Sequence, residues 1–149
     1  SLYRETNGNS DLASNLDTVD YYEIPGTYNV SITDASGNVS EGSLYYENAE
    51  SGDNTYGVFL WGDNPFTKIV NTSTDSTKKL CIVKESFGNA FVPYVCSNYK
   101  EVYVVDFRYY TGNLKDLCTK NKISEVLYMN GVMSESSAFQ IEKMDALLS

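Results

Sequence analysis

The sequence predicts an α/β protein: a parallel sheet flanked by helices, preceded by a β-rich segment. Three observations carry that reading. Short runs rich in β-branched residues recur in the second half, namely KKLCIV, EVYVVDF and SEVLYMN. The stretches between them, GNAFVPYVCSNY and GNLKDLCTKNK, space their apolar residues nearer a helical period. The first half instead alternates tyrosine- and valine-rich runs with turn compositions.

Taken in order, residues 1–16 are polar and unpatterned and read as a loose leader. Residues 17–77 form the β-rich segment, in which TVDYYEI, TYNVSIT, GSLYYEN and YGVFLW read as strands. PG, DASGN and ESGDN separate them, and Asp34 to Asn38 looks like a hairpin loop. Residues 78–149 form the α/β segment, whose three strand–helix pairs make two crossover units of a parallel sheet. Pro93 suits the start of the first helix, which gathers Phe91, Tyr94 and Val95. Asn113 is placed to cap the second, with Leu114, Leu117 and Cys118 as its buried stripe. Ser137 and Gln140 form a capping-box pattern for the third, which aligns Ile141, Met144 and Leu148. The two segments read as one compact fragment of a larger domain.

Composition bounds the function. A chain of 149 residues is one ordinary domain, long enough to bury about two thirds of its unfolded surface. Its 42% hydrophobic content is globular, and thirteen tyrosines favour extended structure. Eleven basic residues against twenty acidic ones, a net charge of -9, argue against nucleic acid or an anionic membrane surface as partner. No apolar run approaches the ~20 residues of a membrane span. The chain opens at Ser1, its first methionine is Met129, and it reads as a piece of a longer polypeptide. The three cysteines lack CxxC spacing and histidine partners, so no metal or other cofactor is expected and all three read as small buried hydrophobes. Nothing in the sequence sets the oligomeric state.

In a parallel sheet the carboxyl ends of the strands open on one edge, where ligands bind. The first strand runs into Ser86, the second into Arg108 and the third into Asn130. A hydroxyl, a guanidinium and a carboxamide are therefore expected on one rim. A serine at a strand-to-helix turn is exposed, and Gly88 permits a tight turn or a close backbone approach behind it. Backbone N–H groups of that turn, with Asn130 and Arg108, are placed to donate to an oxyanion. Each residue also has a plainer role: a serine before a helix is ordinarily an N-cap, an arginine pairs with a carboxylate, and an asparagine beside glycine makes a turn. Convergence of the three is what points to acyl chemistry. Phosphoryl transfer is set aside, because the strand ends lack an acidic cluster for magnesium. Trp61, beside Gly62, offers an indole for a sugar ring, against the commoner fate of core packing.

KKLCIVKESFGNAFVPYV, EVYVVDFRYYTGNLKDL and ISEVLYMNGV together resemble the DHHW family of bacterial envelope proteins, in its C-terminal part. The Gly62-Asp63-Asn64-Pro65 turn is similar to a segment those proteins carry before the serine strand. The likeness spans about residues 56–132, and the Lys–acidic–Ser–aromatic–Gly–Asn motif ending at Asn89 is its most specific part. Glu85 stands where relatives are expected to carry aspartate. The resemblance implies a flavodoxin-like, SGNH-hydrolase-like fold related to the alginate O-acetyltransferases, and an extracytoplasmic location. It implies Ser86 as nucleophile, with Arg108, Asn130, Gly88 and Asn89 as oxyanion or substrate-binding groups; Asn64 of the 62–65 turn and the Trp61 indole are the candidate substrate contacts. The implied substrate is a polysaccharide or acylated sugar. The family's Asp-His-His-Trp motif, expected upstream as acid and base, is absent, and the chain has no histidine. Alone, this fragment is expected to be nearly inert; the alternative is a carbohydrate-binding or structural envelope module without chemistry.

Overall fold

The computed structural model describes residues 19–51 and 55–149. One six-stranded sheet runs through both segments. Its strands are β1 (Tyr28–Thr33), β2 (Val39–Gly42), β3 (Phe66–Asn71), β4 (Lys79–Lys84), β5 (Glu101–Asp106) and β6 (Glu125–Met129), in the spatial order β2-β1-β3-β5-β4-β6. β4 pairs in parallel with β5 and β6, whereas β1, β2 and β3 join antiparallel. The sheet is thus mixed rather than wholly parallel, and the β-rich segment extends it.

The helices are short: α1 (Val92–Val95), α2 (Leu114–Asn121), α3 (Val132–Glu135) and α4 (Ala138–Ala146). A 3-10 turn, Ser86–Ala90, leads into α1, with Pro93 in its first turn as the sequence predicts. Asn113 caps α2 by accepting from the Asp116 N–H. Ser137 occupies the N-cap of α4 but its side chain makes no capping bond. That helix buries Leu147 at its end instead of Leu148, while Ile141 stays exposed.

Why β4 and β5 hold the centre follows from their sequences. Leu80 and Ile82 of β4, with Val102 and Val104 of β5, pack on one face beneath Val92 and Cys96. Cys81 and Val83, with Tyr103 and Val105, pack on the other beneath Leu114 and Leu147. Apolar side chains at every position are what a strand covered on both faces requires. In β3 only alternate residues are fully buried, so the other face of that strand is only partly covered.

The first half departs most from its sequence reading. The hairpin over residues 34–38 forms as expected, with the Asp34 carboxylate accepting from the Ser36 and Asn38 N–H groups. GSLYYEN and YGVFLW are not strands; they meet only at an isolated Tyr45–Phe59 bridge, with 3-10 turns at Glu47–Ser51 and Thr55–Val58. TVDYYEI forms no strand over its described residues. Packing explains it: Tyr45, Tyr56 and Phe59 cluster ring against ring, with Tyr21 stacked on Tyr45 at 4.9 Å. FTKIVN, unassigned from sequence, supplies β3, which pairs with β1 on one side and β5 on the other.

Candidate functional site

The connection leaving β4 returns to β5, and the connection leaving β5 passes over β4 to β6. These excursions depart in opposite directions, which puts the topological switch point between the carboxyl ends of β4 and β6, the edge where doubly wound sheets bind ligands. Ser86 follows the middle strand by two residues, while Arg108 and Asn130 follow its two neighbours. β3 runs antiparallel to β5, which brings the 62–65 turn to the same rim, where Asp106 N donates to Pro65 O at 3.1 Å.

Ser86 is the first residue of its 3-10 turn rather than the cap; Glu85 takes the cap position in an extended conformation. The Ser86 side chain is half-buried. Among the described residues, none hydrogen-bonds its hydroxyl. Gly88 is buried directly over Lys84, and a Cβ there would lie 2.6 Å from Lys84 Cβ. Only glycine allows the turn to sit so close to the strand end. Tyr56 donates from its hydroxyl to Phe87 O at 3.0 Å and fixes the turn from outside. Glu85, nearly buried, accepts from Gly131 N at 2.9 Å.

Beneath the rim lies an ionic group. Lys84 Nζ is 3.0 Å from Asp106 Oδ2 and 3.7 Å from Asp63 Oδ1, and both Lys84 and Asp106 are almost wholly buried. Arg108 forks onto Asp106, with Nε 2.9 Å from Oδ1 and Nη2 2.6 Å from Oδ2, and Nη2 also reaches Asp63 Oδ2 at 2.9 Å. Burial pushes the Asp106 carboxyl upward, but the Arg108 hydrogen bonds and the Lys84 charge outweigh it and hold the pKa below its ordinary 3.8. The same hydrogen bonds raise the Arg108 pKa further. Two cations and two carboxylates balance.

The expected donors are therefore placed unequally. Arg108 stands on the rim but is spent on Asp106 and Asp63. Asn89 donates from Nδ2 to Asp63 Oδ1 at 2.9 Å, and its buried Oδ1 has no partner among the described residues. Among the described residues Asn130 donates from Nδ2 only to the Met144 thioether at 3.3 Å, a weak acceptor that a better one displaces cheaply. Asn64 turns its amide inward to Leu60 O at 3.1 Å, which makes it a support of its own turn. Two carboxylates, Asp63 and Asp106, do occupy the strand ends that the sequence reading left without an acidic cluster, each matched by a cation. Lys84, Glu85, Tyr56 and Asp63 had no role in that reading. The available signals were the charged Lys84-Glu85 pair closing an apolar strand and Asp63 within the 62–65 turn.

Trp61 lies off this rim with its indole 40% exposed, rather than in the core. Leu60, Trp61 and Gly62 all have left-handed backbones, with φ of 53°, 64° and 82°. For the two non-glycines that conformation costs roughly 1–2 kcal/mol each. Among the described residues, no group of three or more cysteines or carboxylates is placed to hold a metal, and no helix is long and apolar enough to cross a membrane.

A family model described as DHHW protein matches residues 1–105. That match begins well ahead of residue 56 and stops before Arg108 and Asn130. A crystal structure of a DHHW family protein from Eubacterium siraeum is similar over 99% of this chain and 50% of its own, at 28% identity and a TM-score of 0.83. Two structures of Bacillus cereus PatB1, one with a sulfonyl adduct, are similar over 75% of this chain and 40% and 38% of theirs. Their identities are 23% and 24% with TM-scores of 0.65, a likeness of fold. The chain spans about half the length of the first of these structures. No curated protein matches it.

Proposed function

Because the chain belongs to the DHHW protein family, we propose that it carries the nucleophile of a serine esterase or O-acyltransferase acting on acylated cell-envelope polysaccharide. On this reading β4, β5 and β6 are part of an SGNH-like sheet. Ser86 Oγ attacks the acyl carbonyl, the acyl C–O bond breaks, and water or a sugar hydroxyl then takes the acyl group from Ser86. Backbone N–H groups of the Ser86 turn and the weakly held Asn130 amide receive the oxyanion. Arg108 acts through Asp63 and Asp106, holding the rim in place rather than touching the acyl group.

One observation carries this reading: an unbonded, half-buried hydroxyl at the switch-point edge, in a turn capped by another residue. The chain has no histidine, and on this reading the base comes from polypeptide beyond it. β6 supports such a joining place. It forms the sheet edge and, unlike β4 and β5, is exposed on both faces, with Val126 and Tyr128 at 42% and 45% on one and Leu127 at 36% on the other. Parallel strands are ordinarily covered on both faces. A sulfonyl adduct on PatB1 also supports it, since sulfonyl reagents capture nucleophiles.

The test is aryl acetate turnover and sulfonyl fluoride labelling by the longer polypeptide and its Ser86→Ala variant. Loss of both in the variant is expected; turnover or labelling that survives it defeats the reading. The neutralised Arg108 favours a second reading, a carbohydrate-binding module without chemistry, which a wild type devoid of turnover and labelling would support.

A further inference from the structure

A second concavity, of about 520 Å³, lies beside the β1 and β2 end of the sheet, within the range of small-ligand clefts. Trp61, Tyr46, Tyr45 and Tyr28 line it with Glu23 and Glu47. Trp61 stacks on Tyr46 with ring centroids 4.2 Å apart, and its indole N–H donates to Ser43 Oγ at 3.3 Å. The left-handed backbone at Leu60 and Trp61 is pinned from below by the Asn64 amide. Gly42 clears the space beside the ring, since a Cβ there would sit 2.5 Å from Ile32 Cδ1 and 3.4 Å from the indole nitrogen. A rigid aromatic plate is thus held half-exposed at the expense of backbone strain, a combination that packing alone does not call for.

We propose that this cleft binds a pyranose unit of a neutral oligosaccharide. The apolar C–H face of the ring packs on the exposed indole, and the Glu23 and Glu47 carboxylates accept from its hydroxyls. Those carboxylates repel uronates, so the ligand class is neutral rather than anionic. Three strand spacings, about 14 Å, separate β1 from β4. The cleft is therefore a distal subsite for a chain of sugars and not the acyl-transfer position. The inference deepens the proposed function and rests on it for the biological polymer, but its binding chemistry does not involve Ser86.

Trp61 is the only tryptophan in the sequence, so its fluorescence reports the cleft directly. The 149-residue chain is titrated with cellotetraose, N-acetylglucosamine tetramer and tetragalacturonate by fluorescence and calorimetry. A saturable shift with at least one neutral tetramer, and binding of the uronate at least tenfold weaker, are expected. Trp61→Ala should weaken the neutral ligand at least tenfold by calorimetry. The surface pair Glu23→Lys with Glu47→Lys, which leaves the aromatic packing alone, should raise uronate affinity at least tenfold. Ser86→Ala should bind as wild type does, so failure of acyl chemistry and failure of this site are told apart. No saturable shift with either neutral tetramer, or uronate affinity unmoved by the lysine pair, overturns the proposal.

Discussion

Gly131 donates its backbone N–H to Glu85 Oε1 at 2.9 Å, tying the turn after β6 to the turn after β4. This bond spans the switch-point edge and adds to the β4–β6 pairing, in which Lys84 already stands opposite Met129. Glu85→Ala should destabilise the chain by about 1–3 kcal/mol, because it leaves the Gly131 N–H unsatisfied. Glu85→Gln keeps an acceptor and should lose less. Urea unfolding midpoints of the two variants check the order, and equal losses would refute the bond's importance.

The buried ionic group makes a sharper demand. Asp106→Ala strands Lys84, which is 1% exposed, with only a 3.7 Å contact to Asp63. Removing one partner of a buried pair costs about 3–5 kcal/mol. Lys84→Met removes the buried charge while Asp106 keeps its Arg108 fork, so it should cost clearly less. Guanidinium denaturation of both variants measures the difference.

The same group gives an acid limit. Asp106 titrates below its ordinary 3.8 in the folded protein, so the unfolded chain takes up this proton first. Its contribution to stability is whole above that pH and disappears as the pH falls through the lower folded value. Glu101, held below its ordinary 4.5 by Tyr103 and Lys79 against the cost of burial, adds to the same slope. Stability measured from pH 5 downward should fall, and Asp106→Asn should flatten the decline.

What the sequence discloses divides at about residue 78. KKLCIV and EVYVVDF announce strands buried on both faces because their interior runs, Leu80 to Val83 and Val102 to Val105, hold no charged residue, and their ends locate the rim. Asn113 announces its helix because a capping asparagine acts within four residues. The tyrosine-rich half misleads for a physical reason: Tyr45, Tyr56 and Phe59 suit a strand face as well as they suit an aromatic cluster, and long-range packing chooses the cluster. The site is legible only as far as local signals reach. Ser86 and Gly88 are visible in their motif, whereas the partnership of Asp63 with Arg108 and Asn89 needs β3 to run antiparallel beside β5. No local pattern encodes that.

Thiol chemistry follows from burial. Desolvation raises the Cys81 and Cys96 thiols to about 12, and both side chains are fully enclosed. Cys118 is half-buried and its pKa is raised less far. A thiol-specific chromogen at pH 8 should therefore react with one group per native chain, and with three only after unfolding. Rapid release from two or more native thiols would contradict the packing of β4 against α1 and α2.

Ser86 offers the test that separates a cap from a nucleophile. A serine whose hydroxyl caps its helix typically loses about 1 kcal/mol on truncation to alanine. Here the cap position belongs to Glu85, and Ser86 Oγ bonds to no described residue. Ser86→Ala should consequently change stability by no more than about 0.5 kcal/mol, the range of surface substitutions that break nothing. The neighbouring Gly88→Ala should cost about 1–3 kcal/mol, since its methyl is forced against the buried Lys84 stem. A large loss at Ser86 with none at Gly88 would reassign the hydroxyl to the fold. The expected order leaves Ser86 dispensable for folding and free for chemistry.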